Sequence, residues 1–287
     1  MDGFTIFTDT GCDLPRQQLD ELAIERIELT LHTAAGVRVP LAGLDIPDFY
    51  QKMRDGAVYQ TAAANLGDYL DAFEPFLRRG QDILYLCFSS GLSNTVNTAR
   101  MAAVELEAQY PGRRVSVVDS RCASVGFGLF VLLAARKRDT GASLAETEAY
   151  LYEIVPRLCH WFTVDSLVFL RRGGRISAAK AIIGEALNLK PVLHMDDDGH
   201  LISRMKVRGR RQAVQALADK YAALAADPEN GEYLIGHGDC LEDARQLEAL
   251  IAGQFRHPAA LIADIGPVIG AHSGPGTLAL FFLGRQR

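Results

Sequence analysis

The sequence predicts an α/β fold of two lobes, an N-terminal lobe on a largely parallel, Rossmann-like sheet and a C-terminal lobe of mixed α/β structure. Three observations carry this. Ile83-Leu84-Tyr85-Leu86-Cys87-Phe88 runs unbroken and apolar into Ser89-Ser90-Gly91-Leu92-Ser93-Asn94-Thr95, as a strand buried on both faces does before it turns into a helix. The first half repeats strand, polar loop and helix, the order that yields a parallel sheet covered on both faces. From about Trp161 the texture changes. Pro191–Met195 and His200–Arg204 flank Asp196-Asp197-Asp198-Gly199, a hairpin signal absent from the first half. The lobes are therefore placed at residues 1–160 and 161–287, each long enough for its own core.

Taken in order, Phe4–Thr8 is β-branched and aromatic and reads as the first strand. It leads into Asp9-Thr10-Gly11-Cys12-Asp13-Leu14-Pro15, a turn-rich loop of the kind that lines the crevice of open α/β sheets. Pro15 suits the start of a helix from Arg16 to Ala23. Ile27–Leu31 reads as a strand and Asp48–Arg54 as a short helix. Val58–Asn65 is small, polar and without clear periodicity, and Asn65 can cap the amphipathic helix carrying Tyr69, Leu70, Phe73, Phe76 and Leu77. After the Ile83–Phe88 strand and its helix, Val115–Asp119 reads as a strand. Ser120–Ser124 is a second hydroxyl-rich loop ahead of an apolar helix through Leu133. Ser143-Leu144-Ala145-Glu146 matches a capping box for a helix through Ile154. Beyond it come a strand at Trp161–Val164, a glycine-rich basic loop from Leu170 to Ser177, an alanine-rich helix and the hairpin. Helices at Ala213–Leu224 and Glu242–Gln254 alternate with strands at Tyr233–Gly236 and Ala259–Ile265. Gly266–Gly276 reads as a glycine-rich loop before a last strand, Leu278–Leu283.

The net charge of −5 argues against a general nucleic-acid binder. Five widely spaced cysteines without metal-ligand spacing predict reduced thiols and no metal. The amino terminus lacks a signal-like pattern and no apolar run reaches membrane-spanning length, so the expectation is a cytoplasmic protein with no integral membrane segment.

Candidate chemistry gathers at the loop ends. Thr61, Ser93 and the loops around Asp9 and Ser120 could form a hydroxyl-lined pocket for a carboxylate or phosphate. Ser93 and Asn94 also suit a helix N-cap, so capping and anion binding both remain open for Ser93. His272, set among glycines, could donate to an anion, act as a general base or be a plain loop histidine. A serine hydrolase or phosphoryl-transfer enzyme using Ser93 and His272 is the competing class. Gly91-Leu92-Ser93-Asn94-Thr95 lacks the second glycine of a nucleophile elbow, and there is no P-loop. Arg204, Lys206, Arg208 and Arg210 alternate with Met205, Val207 and Gly209. On a strand this lines the cations on one face, either solvated or facing an anionic partner. Arg171, Arg172 and Arg175 form a second basic cluster, suited to joining the lobes or to binding ligand. Asp196-Asp197-Asp198 lacks the later glutamate of a calcium loop and reads as a hairpin tip.

Five of these stretches together resemble the DegV family of bacterial fatty-acid-binding proteins. Thr8-Asp9-Thr10 with Asp13-Leu14-Pro15 is similar to its "TDS…DLP" opening, and Ser89–Thr95 to its "SSxLSGT" motif. Leu170 with Gly173-Gly174-Arg175-Ile176 resembles "LxxGGRI", and Lys206–Arg210 resembles "KxRxR". Gly266–Gly276 resembles the closing "GPVIGxHxGPG". The motifs occur in family order from residue 8 to residue 276, nearly the whole chain. The resemblance implies a long-chain fatty acid bound between the lobes, its acyl chain in an apolar tunnel. It places the carboxylate on Thr61 and Ser93 with His272 near it. It assigns Arg208, and with it Arg210 and Arg175, to a surface facing a partner fatty-acid kinase or its phosphate. It implies a carrier rather than a catalyst, with the bound acid as ligand and no other cofactor. The chain departs from the family where Thr61-Ala62-Ala63-Ala64-Asn65 replaces "TSQPS", and where Asn94 stands for a glycine.

Overall fold

The computed structural model describes residues 3–176 and 188–287. The expected parallel sheet is present with four strands, in the order β2-β1-β6-β7, from β1 (Phe4–Asp9), β2 (Ile24–Ile27), β6 (Asp82–Cys87) and β7 (Val115–Asp119). Leu84, Tyr85, Leu86 and Cys87 are fully buried, as the unbroken apolar run requires of a strand covered on both faces. Helices α1 (Arg16–Glu21), α3 (Leu66–Arg78) and α4 (Thr95–Gln109) belong to this half, and α3 starts at the expected cap. Asn65 Oδ1 accepts from Asp68 N–H at 3.2 Å and Asp68 Oδ2 accepts from Asn65 N–H at 2.8 Å, a reciprocal capping box.

A small antiparallel sheet, β4-β3-β5, was not expected from the sequence. It consists of β3 (Thr30–Thr33), β4 (Arg38–Val39) and β5 (Tyr59–Ala62), with α2 (Ile46–Arg54) between β4 and β5. The single strand read over Ile27–Leu31 is divided between the ends of β2 and β3. Strands of two to four residues carry too little periodicity to be read. Yet β5 alternates: Tyr59 and Thr61 turn inward, Gln60 and Ala62 outward. This places the Thr61 side chain.

The apolar helix after β7, α5 (Ser124–Asp139), is buried along nearly its whole length because sheets flank it. Ser124, read as the last residue of the loop, opens this helix with a left-handed φ of 55°. Helix α6 (Leu144–Ile154) begins at the predicted capping box of Ser143 and Glu146. A mixed six-stranded sheet follows, ordered β10-β9-β8-β13-β11-β12. Its strands are β8 (Leu158–Thr163), β9 (Leu189–Met195), β10 (Leu201–Arg208), β11 (Tyr233–His237), β12 (Leu261–Asp264) and β13 (Leu278–Leu283). Only β11 and β12 pair in parallel. Helices α7 (Val168–Arg172), α8 (Arg210–Leu224), α9 (Leu241–Phe255) and α10 (Pro267–Ser273) complete the chain. The alanine-rich helix expected after Ile176 falls at residues 177–187, outside the described residues.

One core cluster runs from Phe4 and Ile6 of β1 through Phe127 and Phe130 of α5 to Phe162 of β8 and Phe281 of β13. The two halves thus share apolar packing. The hairpin tip also docks across them: Ser89 Oγ donates to Gly199 O at 2.9 Å and Arg121 Nη1 to Asp197 O at 2.5 Å. Asp196 has the role expected of a turn residue, its Oδ1 accepting from the backbone N–H groups of Asp198 (3.1 Å) and His200 (2.8 Å).

Candidate functional site

Between the parallel sheet, the small sheet and the six-stranded sheet lies a cavity whose empty space, open solvent at its mouth included, is about 930 Å³. Most of its lining is apolar, with Leu29, Phe88, Phe162, Met195, Ile269 and Phe281 among the larger side chains. Thr61, Ser93, Arg175 and His272 also line it. The structure therefore brings to one cavity the three hydroxyl or imidazole groups that the resemblance groups together, and with them Arg175, expected on a partner- or phosphate-facing surface.

Each is positioned by a different element. Thr61 projects from β5, and its Oγ1 lies 2.7 Å from His272 Nε2. His272 sits in the last turn of α10, where the sequence suggested a loop. Val268, Ile269, His272 and Ser273 repeat at helical spacing and all line the cavity. Gly173 has no side chain where the imidazole packs; a Cβ there would stand 2.3 Å from His272 Nδ1. Burial, reinforced by the Arg175 charge, pushes the His272 pKa down to about 4, so the ring is neutral near pH 7.

Ser93 lies beside the amino end of α4. The N-cap position is Asn94, whose side chain makes no capping bond. The Ser93 hydroxyl instead accepts from Thr95 N–H at 3.3 Å and pairs with Thr95 Oγ1 at 2.6 Å. Arg175 follows α7 and donates through Nε to Leu92 O at 3.2 Å, next to Ser93. Desolvation lowers its pKa, and among the described residues no carboxylate pairs with it. A partly buried guanidinium, two hydroxyls and an imidazole on the wall of a mostly apolar cavity are groups of the kind that can receive an anionic head group. Hydrolytic chemistry has weaker support. Ser93 bonds Thr95 and His272 bonds Thr61, so the pairwise hydrogen bond of a serine–histidine relay is not formed.

Other expected residues fall elsewhere. Asp9 and Ser120 themselves support the site rather than line it, whereas Ala123 and Ser124 of the second loop do line the cavity. Asp9 is fully buried; its Oδ1 accepts from Gly11 N–H at 2.8 Å, and its Oδ2 from Phe88 N–H and Tyr85 OH at 3.2 Å each. Burial raises its pKa to about 6. Ser120 Oγ accepts from Cys122 N–H at 3.1 Å. Arg204, Lys206 and Arg208 are exposed on β10, an edge strand, but the expected alternation breaks. A bulge between Ser203 and Met205 leaves Met205 exposed beside them. Gly209, at φ 83°, ends the strand, so Arg210 does not continue the stripe. Arg210 begins α8 and turns inward, its Nε donating to Asp243 Oδ2 at 2.9 Å with Asp165 close by.

The fold and cavity define an α/β protein with one parallel and one mixed sheet and, between them, a mostly apolar cavity that Thr61, Ser93, Arg175 and His272 also line. A family model described as "Uncharacterised protein, DegV family" matches residues 3–285. The chain belongs to the DegV family. A DegV domain-containing protein of Clostridium perfringens is 38% identical over 286 residues, covering 99% of this chain and 98% of that one. A solved DegV structure from Thermus thermophilus, described as fatty acid binding, superposes with a TM-score of 0.87 at 30% identity, covering 98% of this chain and 99% of that one. A DegV lipid-binding protein from Thermotoga maritima superposes with a TM-score of 0.84 at 26% identity, covering 99% of each chain.

Proposed function

We propose that this protein binds a long-chain fatty acid, with its acyl chain in the apolar cavity between lobes divided near residue 160. The carboxylate lies among Thr61, Ser93, His272 and Arg175. The observation that carries this reading is the grouping of those four polar residues in a lining otherwise dominated by hydrocarbon side chains. Each methylene taken from water is worth roughly 0.8 kcal/mol, so the chain supplies affinity and the head-group contacts set its direction. The fatty-acid and lipid binding described for the Thermus thermophilus and Thermotoga maritima proteins supports the same ligand class.

The protein acts as a carrier. A neutral His272 bonded to Thr61 and a Ser93 bonded to Thr95 suit holding an anion better than attacking an ester. The exposed Arg204, Lys206 and Arg208 of β10 offer a cationic docking strip for a partner that acts on the acid, with a fatty-acid kinase as the class proposed. No helix of the described residues is long and apolar enough to cross a membrane. Five free thiols, with Cys12 and Cys122 pushed up to about 12 by burial, suit the cytoplasm.

Titration with hexadecanoic acid and with its methyl ester tests the reading. Tight binding of the acid and at least about ten-fold weaker binding of the ester is expected. Equal affinities would remove the carboxylate from the polar end, and turnover of the ester abolished by His272→Ala would favour the hydrolase.

A further inference from the structure

Gly126 lies in the first turn of α5, although glycine is among the poorest helix formers. Its φ is not left-handed, so the backbone does not demand a glycine there. Space does. A Cβ at this position would stand 2.3 Å from Phe281 Cδ1, 2.4 Å from His160 Nε2 and 2.8 Å from His160 Cδ2, far inside van der Waals contact. The two rings pack edge-on at 5.1 Å between centroids and lie back together against the helix. Both line the cavity, whereas Gly126 is buried behind them. A Cβ on Gly236 of β11 would stand 3.3 Å from Phe281 Cε2, so that ring is closely backed from a second side.

Strand register places these rings where the cavity leaves the six-stranded sheet. Thr277, Ala279 and Phe281 face the cavity at the period of a strand, and Leu283, the next in step, does not line it. In β8, Phe162 pairs with Ala279 and His160 with Phe281, and Leu158 does not line it. His194 of β9 pairs with Trp161, which sets Met195 beside His160, and Leu201 of β10 pairs with Met195. Phe281, His160, Met195 and Leu201 thus form one row across four strands, the last row that the cavity meets. Thr277 marks the opposite end of the run, its Oγ1 donating to Ser273 O at 3.0 Å next to His272. From Thr277 to Phe281 is four residues of extended chain, on the order of 13 Å. An acyl chain with its carboxylate by His272 therefore points its methyl end toward the Phe281–His160 pair.

We propose that Gly126 is a positioning residue for acyl-chain length: lacking a side chain, it lets Phe281 and His160 recede, and the depth of that recess sets the length of acid the cavity favours. The inference rests on the fatty-acid reading and adds a length limit to its ligand class. A methyl at position 126 forces both rings off α5. Protein interiors are close-packed, and the cavity is the open space these rings adjoin, so they move into it and shorten it.

The test measures dissociation constants for the even-numbered saturated acids from decanoic to docosanoic acid. The proteins are the wild type, Gly126→Ala and Phe281→Leu, with melting temperatures recorded for each. Wild-type affinity should rise with length to an optimum and then fall, because each added methylene gains burial only until the row of rings is reached. Gly126→Ala should move the optimum to a shorter acid, losing about ten-fold or more for the acid the wild type binds best while decanoic acid stays within a few-fold. Phe281→Leu, with a smaller side chain in the same row, should move the optimum to a longer acid. General damage to packing would weaken every acid alike and leave the optimum in place. That result, or an unmoved optimum in either folded variant, would overturn the proposal. So would wild-type affinity still rising at docosanoic acid. If Gly126→Ala does not fold, Phe281→Leu decides alone by the same criterion. Failure of every acid to bind the wild type would instead overturn the fatty-acid reading itself.

Discussion

Replacing Ser93 with alanine separates holding from folding at the polar end of the cavity. The serine hydroxyl has two local partners, Thr95 N–H at 3.3 Å and Thr95 Oγ1 at 2.6 Å, and it faces the cavity. Losing a hydrogen bond to a charged carboxylate costs about 1.5–3 kcal/mol, roughly a 10- to 150-fold rise in Kd for hexadecanoic acid. The same substitution strips Thr95, which is fully buried, of its hydroxyl partner, a loss of about 1–3 kcal/mol from the fold. Calorimetric titration reads the first effect and urea denaturation of the ligand-free protein reads the second. Adding Thr95→Val should return most of the stability without returning the affinity. An unchanged Kd in a folded Ser93→Ala protein would refute the placement of the carboxylate at Ser93.

Two further perturbations test other parts of the account. Gly173→Ala suits the backbone, at φ −71°, but sets a methyl 2.3 Å from His272 Nδ1. It should displace the imidazole from Thr61 and weaken acid binding by about ten-fold or more while the melting temperature changes little; unaltered affinity would take His272 out of the site. Asp13, partly buried, accepts from Ser124 Oγ at 2.6 Å, and burial raises its pKa to about 7 from an ordinary 3.8. An acid whose folded pKa is raised contributes stability below pH 4 and loses it as pH rises toward 7. His272 and His194, lowered to about 4, act in the opposite sense, their contribution falling as pH drops from 6.5 to 4. The melting temperature of the wild type relative to Asp13→Asn cancels the histidines and should fall steadily between pH 4 and 7. A flat difference would contradict the raised pKa.

The parts of the fold visible in the sequence are those with long or unbroken patterns. Ile83–Cys87 reads as a doubly covered strand and is one, and the caps at Asn65 and Ser143 rest on side chains that bond the backbone within one helical turn. The small sheet escaped because its strands are two to four residues long and gain their order from one another. At Gly266–Gly276 the glycines masked the helical spacing of Val268, Ile269, His272 and Ser273, so His272 was identified while its helix was not. Motif order pointed to Thr61, Ser93 and His272 as one site, and the structure puts all three on one cavity. Arg175 and Arg210 were assigned with Arg208 to one partner-facing surface through basic motifs. Tertiary contacts divided them, Arg175 lining the cavity, Arg210 pairing with Asp243 and Arg208 remaining in solvent.

The most direct test of the central claim is the mass of what the protein retains. Native mass spectrometry of the full chain purified without added lipid, followed by denaturing extraction, should show a bound species that resolves into one or more long-chain carboxylic acids. A ligand-free protein that also fails to take up such acids in titration, or one that retains only a small phosphorylated metabolite, would contradict the account.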